Sequence, residues 1–365
     1  MRVFTEEEIN TMRAIIAPLS DWYRLHARLL PWRRSADPYR VWISEIMLQQ
    51  TRIAAVLNYY TRFTAELPDL ASLADAEEDR LLKLWQGLGY YNRARNLQKA
   101  ARVLMTDYGG RFPPDYDAIR ALPGIGDYTA GAIASICFGL PVPAIDGNVL
   151  RILTRLLGAP DDIAEESTKK AYRLLLLPLM PGPASGTFNQ ALMELGQLIC
   201  LPNGAPLCGE CPLASLCAAR IHGLTDTLPV KKRPKARRRE VRTVWLIFSG
   251  TRVALRRRPA NGLLAGLWEY PNTPASENAD VFPWPELPLF AAPREVCRGV
   301  HIFSHIEWHM TAMQCESCSD TLPKDWVWAD AAALKERYAV PNAFQFTEAF
   351  LRERLNAPAA SQPSE

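Results

Sequence analysis

No stretch of this 365-residue chain stays apolar long enough to cross a bilayer. Its densest leucine run, Leu174 to Leu177, ends at Pro178, far short of the roughly 20 residues a membrane helix needs. The start, Met1-Arg2-Val3-Phe4-Thr5 followed by three glutamates, lacks the cationic and then apolar layout of a signal peptide. Cytoplasmic residence is therefore the expectation, and there eight cysteines are expected as thiols or metal ligands, not disulfides. Charge of one sign is missing too. A net charge of +3 is too small to argue for a nucleic-acid partner by itself.

What is present is ordinary in amount and uneven in distribution. Hydrophobic residues make up 48% and charged residues 22%, as in globular proteins, and the length allows two or three domains. Basic residues concentrate in Lys231-Lys232-Arg233-Pro234-Lys235-Ala236-Arg237-Arg238-Arg239, a pattern of solvated linkers that also suits phosphate contact. Before this run the apolar spacing is helical, as in Glu6 to His26; after it, Val244 to Phe248 and Val253 to Leu255 flank a hairpin-like Ser249-Gly250-Thr251-Arg252. Late helices are expected at 329–337 and 343–355. The tail from Ala357 is rich in Ala, Pro and Ser and is expected to be disordered.

Four stretches carry chemistry. In Leu122-Pro123-Gly124-Ile125-Gly126-Asp127 two glycines around one apolar residue force a tight turn between helical patterns. Its backbone N–H groups could face a phosphate; a plain helical connector is the competing reading. The helix after it, Asp127 to Phe138, is rich in small residues and could approach a duplex closely. Asp37-Pro38 starts another helix, and within it Glu45 sits in an almost unbroken apolar run. Desolvation would raise its pKa, unless an arginine such as Arg33 or Arg52 pairs with it. Asp146 precedes a helix beginning near Asn148, where N–H groups and the helix dipole favour a carboxylate. Two carboxylates in such different settings suit an acid and an anion in one reaction. Finally, Cys200, Cys208, Cys211 and Cys217 are spaced C-x7-C-x2-C-x5-C with no histidine among them. Four thiolates this close indicate a metal centre, and by chemistry alone zinc and an Fe–S cluster stay tied. Cys315 and Cys318 read as ordinary thiols and Cys137 as core.

The Leu-Pro-Gly-Ile-Gly run followed some twenty residues later by an aspartate resembles the helix–hairpin–helix DNA glycosylases. Trp42-Ile43-Ser44-Glu45-Ile46-Met47-Leu48-Gln49-Gln50-Thr51 and Trp85-Gln86-Gly87-Leu88-Gly89-Tyr90-Tyr91-Asn92-Arg93 narrow the resemblance to the MutY family of adenine DNA glycosylases. Asn261 to Pro271 resembles that family's C-terminal domain, a relative of Nudix hydrolases, without the glutamate-rich magnesium signature. The resemblance implies a mostly α N-terminal catalytic region of two helical lobes, residues 1–222, with an iron–sulfur module. A basic linker would span 223–240, an α+β Nudix-like lesion-recognition domain 241–356, and a disordered tail 357–365.

It also implies roles. Glu45 would be the acid and base, Asp146 the stabiliser of the sugar cation, with Tyr128 and Asn148 beside them. Arg28, Trp32, Arg33, Leu48 and Gln190 would line the adenine pocket. Gln50 and Tyr90 would enter the base stack, and the hairpin of Leu122, Gly124, Ile125 and Gly126 would hold the DNA backbone. Phe303, Ser304 and His305 would recognise 8-oxoguanine. Unaided, Tyr90 and Tyr91 both read as core aromatics. The four cysteines would hold a [4Fe–4S] cluster, although relatives usually have x6 in the first gap.

Relatives that also cut the strand carry a lysine where Tyr128 stands, and no lysine lies between Lys99 and Lys169. The implied activity is therefore adenine removal opposite 8-oxoguanine or guanine in duplex DNA, starting base excision repair, with little or no strand cleavage. The enzyme would be a monomer without a membrane partner, associated with the nucleoid of a bacterial-type cytoplasm. A lyase acting on oxidised pyrimidines and a non-catalytic iron–sulfur DNA-binding protein are the competing readings.

Overall fold

The structure, a computed structural model, describes residues 2–232, 236–275 and 282–356. The proposed tail at 357–365 and three residues of the basic run, Arg233 to Lys235, lie outside them. Helices come first along the chain: α1 (Glu6–Ala14), α2 (Ile16–His26), α3 (Pro38–Leu48), α4 (Ile53–Glu66), α5 (Leu70–Asp75), α6 (Glu78–Trp85) and α7 (Asn92–Asp107). They continue as α8 (Tyr116–Arg120), α9 (Asp127–Phe138), α10 (Gly147–Leu156), α11 (Glu166–Leu176), α12 (Ser185–Leu198) and α13 (Ala218–Ile221). Among the described residues seven strands follow: β1 (Arg238–Ser249), β2 (Arg252–Arg257), β3 (Trp268–Glu269), β4 (Asn272–Pro274), β5 (Arg294–Ile302), β6 (Ile306–Glu316) and β7 (Trp326–Ala329), then α14 (Ala331–Glu336) and α15 (Glu348–Asn356). Among the described residues no helix is long and apolar enough to cross a membrane.

The chain divides into two compact units: residues 1–75 with 96–233, and residues 76–95 with 234–365. The first is helical. One core is built by Met12, Leu19 and Trp22 with Leu153, Tyr172, Phe188 and Leu192. Around α3 a second apolar group forms, in which Trp42 meets Tyr39 and Phe112 edge to face. The single long helix expected from Glu6 to His26 is two, broken at Ile15. Pro18 explains the break, because it has no N–H to give and its ring crowds the carbonyl of Ala14.

Local signals start the helices that matter most. Asp37 caps α3, accepting from Tyr39 N at 2.8 Å and Arg40 N at 3.4 Å, with Pro38 in the first position. Asp146 caps α10 in the same way. The small residues of α9 serve a different purpose from the one expected. Residues 129–135 are all buried, and a Cβ on Gly131 would lie 2.4 Å from the Pro143 carbonyl oxygen. On the neighbouring α12, a Cβ on Gly186 would lie 2.6 Å from Ser135 O. These residues let protein backbone approach protein backbone.

The second unit is a mixed sheet ordered β3-β2-β1-β6-β5, with β4 on β1 and β7 on β2. β1 and β2 form the expected hairpin around Gly250, and β1 runs parallel to β6. Val244, Leu246 and Phe248 of β1 face a core closed by Tyr338, Phe344 and Leu351, while Trp245 and Ile247 face Trp284, Leu287 and Trp326. Period-two alternation with both faces covered is what a central strand requires. The last helices are shorter than their apolar spacing suggests. Ala329 ends β7 and Asp330 caps α14, and a 3₁₀ segment, Asn342–Thr347, follows Pro341 before α15 begins.

Gly131→Ala is expected to lower the stability of the first unit by about 1–3 kcal/mol, the usual cost of overpacking. Urea denaturation checks it, and an unchanged midpoint would mean that α9 and the Pro143 segment are not in close contact.

Candidate active site

Glu45 occupies the inner face of α3 and is 6% exposed. Burial pushes its carboxyl up to about 7; Tyr128, which donates to Oε2 at 2.6 Å, and the nearby Arg33 pull it down, and Asp146 pushes it up. Burial wins. Near neutral pH this side chain can hold a proton, as a general acid must. The arginine pairing weighed as the bland alternative is not what holds it, since its described hydrogen-bond partner is Tyr128 of α9. The Tyr128 hydroxyl is itself held well above its usual range by burial and by the two carboxylates, so it stays a donor.

Asp146 shares with Glu45 a cleft of about 1570 Å³. Its Oδ1 accepts Asn148 N at 2.9 Å and Val149 N at 2.8 Å, and its Oδ2 accepts Asn148 Nδ2 at 2.7 Å. Three donors and the N-terminus of α10 make this a place for an anion. The chain of contacts continues. Arg151 Nη1 donates to Asn148 Oδ1 at 3.0 Å, and Arg151 Nε donates to Cys200 O at 2.9 Å. Gly196 permits this, because a Cβ there would lie 3.0 Å from the Asn148 side chain.

The same cleft is lined by Arg28, Trp32, Arg33, Leu48, Gln50 and Gln190, together with Asn148 and Gly126. Tyr23 donates to Gln190 Oε1 at 3.2 Å and lies under the Arg33 guanidinium at 5.6 Å. One residue absent from the sequence reading stands behind them. Glu194 of α12 is fully buried and binds both Arg28 and Arg33. Its signal was the same as that of Glu45, a lone carboxylate inside the apolar run Ala191-Leu192-Met193-Glu194-Leu195.

At the hairpin, Gly124 has φ +76° and a Cβ there would lie 2.5 Å from the Asn96 Cβ, so only glycine fits. Leu122 and Ile125 are buried, whereas Gly124 and Gly126 are exposed, which leaves the glycine backbone, with the first N–H groups of α9, as the exposed feature. Arg120 pairs with Asp127 beside it. Gln50, exposed just past α3, has φ +61°.

Cys200, Cys208, Cys211 and Cys217 are close enough for their charges to influence one another. Arg155 Nη1 approaches Cys200 Sγ at 3.3 Å, and both Arg155 and Arg151 are 4% exposed. A cluster with four thiolate ligands carries net negative charge, and these buried guanidinium groups offset it, so the donor set fits. Among the described residues no three His, Cys, Asp or Glu side chains are grouped so as to hold a single metal ion. Cys137 is half-buried and Cys315 is buried, while Cys318 is exposed.

The remaining candidates lie in the second unit. Tyr91 is buried, but Tyr90 is 51% exposed with φ +47°, so the unaided reading of both as core holds for Tyr91 alone. The Tyr90 hydroxyl is 2.9 Å from Ser304 Oγ. Ser304 and His305 are exposed at the turn between β5 and β6, closed by Phe303 N donating to Ile306 O at 2.9 Å. Phe303 packs inward against His301 and Trp308.

A family model described as HhH-GPD superfamily base excision DNA repair protein matches residues 43–177, and a NUDIX domain model matches residues 243–346. An adenine DNA glycosylase of Homo sapiens is 35% identical, over 82% of this chain and 66% of its own length. One of Buchnera aphidicola subsp. Acyrthosiphon pisum (strain APS) is 33% identical, over 80% of this chain and 83% of its own. Among solved structures, a thermostable thymine-DNA glycosylase is similar with a TM-score of 0.52 and 30% identity, over 58% of this chain and 98% of that one. An endonuclease III–DNA complex is similar in fold, with a TM-score of 0.51 and 23% identity over 61% and 99%.

The burial of Glu45 has a stability consequence of definite sign. Its pKa is about 7 in the folded chain against an ordinary 4.5, so between those values the folded state binds more protons than the unfolded one. Stability therefore falls as pH rises from 4.5 to about 7, by about 3 kcal/mol in all. Glu45→Gln, which keeps the shape without the charge, should gain roughly that amount at about pH 8 and nothing at about pH 4. Urea denaturation at the two pH values checks this; no gain at the higher pH would mean that Glu45 ionises freely in the fold.

Proposed function

The chain belongs to the adenine DNA glycosylases, and we propose that it excises adenine standing opposite 8-oxoguanine or guanine in duplex DNA, starting base excision repair. The observation that carries this reading is the pair of carboxylates in one cleft. Glu45 is desolvated to a pKa of about 7, and Asp146 is wrapped in three hydrogen-bond donors. Cleaving a purine from deoxyribose needs a proton on the departing base and an anion near the cationic sugar.

The steps follow from those placements. Adenine inside a duplex is out of reach, so it is flipped into the cleft, where Arg28, Trp32, Arg33, Leu48 and Gln190 form the walls. Glu45 gives its proton to adenine N7, and the bond between C1′ and N9 breaks with its electron pair leaving on the base. The cationic sugar forms beside the Asp146 carboxylate. Water then adds at C1′ and surrenders a proton to Glu45, which restores the acid. Asn148 and Tyr128 keep the two carboxylates in position.

Base removal stops there in this reading. Strand cleavage through a Schiff base needs an amine at the sugar, and the position after the hairpin holds Tyr128, already engaged with Glu45. Lys169 and Lys170 also line the cleft, and Lys169 is paired with Glu166 at 2.9 Å. The exposed Gln50 and Tyr90, both in left-handed backbone, would enter the stack, and the hairpin N–H groups would hold the phosphates. Phe303, Ser304 and His305 would read 8-oxoguanine on the opposite strand. A [4Fe–4S] cluster on the four cysteines would fix the loop after α12; no chemical step is assigned to it. The protein would act as a monomer on cytoplasmic, nucleoid DNA.

An end-labelled duplex with adenine opposite 8-oxoguanine should break at the adenine only after hot alkali. A break without alkali would overturn the base-removal-only part, and no break at all would overturn the activity. The single-turnover rate should fall about tenfold per pH unit above about 7, as Glu45 loses its proton, and Glu45→Gln should lower it by about 10²–10⁴-fold. For the cluster, purified protein should contain iron and acid-labile sulfide in equal amounts, both lost in Cys208→Ser. Bound zinc in their place would overturn that assignment.

A further inference from the structure

We propose that Glu194 is a positioning residue for base release: it clamps Arg28 and Arg33 in the wall of the cleft and neutralises charge there. The proposal rests on the glycosylase reading above and adds a residue to its machinery. Glu194 Oε1 accepts Arg28 N at 3.0 Å and Arg28 Nε at 2.7 Å. Its Oε2 accepts Arg28 Nη2 and Arg33 Nη2, each at 2.8 Å. Those four bonds fill the acceptor sites of a carboxylate. The carboxylate is wholly out of water, whereas the side chains of Arg28 and Arg33 keep 33% and 14% of their surface.

A buried ion pair is weak evidence for stability as such, because desolvation consumes most of the attraction. This one has a definite electrostatic effect on its surroundings. Burial alone would push the Glu194 carboxyl up, but the hydrogen bonds from Arg28 and Arg33 hold it down at about 2, so it is an anion wherever the protein is folded. Two guanidinium groups against one carboxylate leave a single net positive charge in that wall. The groups that act on Glu45 are Tyr128 of α9, Asp146 before α10 and Arg33 before α3; Cys137 of α9 also feels its charge. Arg33 pulls the Glu45 proton off. Glu194 limits that pull by sitting on the Arg33 guanidinium, so the cleft can contain two cations and still keep its acid protonated. It also fixes the plane of the Arg28 guanidinium, which it grips at Nε and Nη2 while holding the Arg28 backbone N–H.

A purely structural Glu194 would change stability when replaced and leave the titration of Glu45 alone. The decisive measurement is therefore the Glu45 midpoint in DNA-free protein, read by carbon-13 NMR of glutamate side-chain carboxyls and assigned with Glu45→Gln. Glu194→Gln should lower that midpoint by on the order of one pH unit, the scale of one uncovered charge at an effective dielectric of about 20. The alkaline limb of single-turnover adenine release should move down by the same amount, and Glu194→Asp should restore both in large part. A folded Glu194→Gln protein with midpoint and limb unchanged overturns the proposal. Should that variant not fold, Arg33→Gln in the intact protein tests the same coupling in the other direction. It should raise the Glu45 midpoint, and an unchanged value also overturns the proposal. A wild-type protein that leaves adenine in place would overturn the activity reading, while the DNA-free titration would still decide the clamp.

Discussion

A carboxylic acid kept out of water between α3 and α9 is the constraint on which the helical unit depends. Glu45 could lower its energy by reaching solvent or by pairing with a cation, and the fold leaves it 6% exposed with Arg33 acting only from nearby. Tyr39, Val41, Trp42, Ile43, Ile46 and Met47 are buried around it on the same helix, and its described hydrogen bond comes from a neutral hydroxyl. Such a site costs stability at neutral pH, so it persists only where the surrounding packing is over-determined. The close backbone contacts at Gly131 and Gly186 supply that, because helices seated directly on neighbouring backbone cannot slide to admit water.

Three carboxylates meet in one region under three different settings, and the differences come from neighbours. Glu45 has burial and one hydroxyl. Asp146 has two backbone N–H groups and an amide from Asn148, together with the end of a helix. Glu194 has two guanidinium groups. The same functional group is thereby set as a proton carrier, as an anion toward the cleft and as a buried counter-ion. The second of these is tied to the rest of the unit by more than its cap. From Asp146 the contacts run through Asn148 and Arg151 to the backbone of Cys200, and Arg155 joins that cysteine to the carbonyls of Leu201, Thr225 and Leu228. Whatever fixes the cysteine loop therefore also fixes the base of α10, where the aspartate stands.

What was legible in the sequence was what local chemistry dictates. Asp37-Pro38 and Asp146 are caps because a carboxylate before a helix satisfies donors nothing else reaches. The hairpin was legible from its glycines, and the central strand β1 from alternation. What depended on distant packing was not. The small residues of α9 look alike whether they face DNA or protein, and only the Pro143 and α12 backbones decide between them. Glu194 carried the signal that singled out Glu45, but its meaning lies in Arg28 and Arg33, more than 160 residues away in the chain. Desolvation can be guessed from a run of apolar neighbours, whereas the partner that decides the charge cannot.

The residues that would touch DNA show the opposite condition from the carboxylates. Gln50 and Tyr90 are exposed, and each has a left-handed backbone at φ +61° and +47°, which costs a non-glycine residue about 1–2 kcal/mol. Neither conformation follows from propensity, so each must be imposed by flanking structure. Gln50 comes directly after the end of α3, whose buried face is anchored as described. Tyr90 follows Gly87 and Gly89, both also left-handed, in a turn where Trp85 Nε1 and Arg93 Nη2 bind the Gly89 carbonyl at 3.1 and 3.2 Å. A side chain that must part stacked bases has to hold its direction against them. A strained turn fastened to a rigid helix end would hold that direction before DNA arrives, so the cost would be met in folding instead of binding.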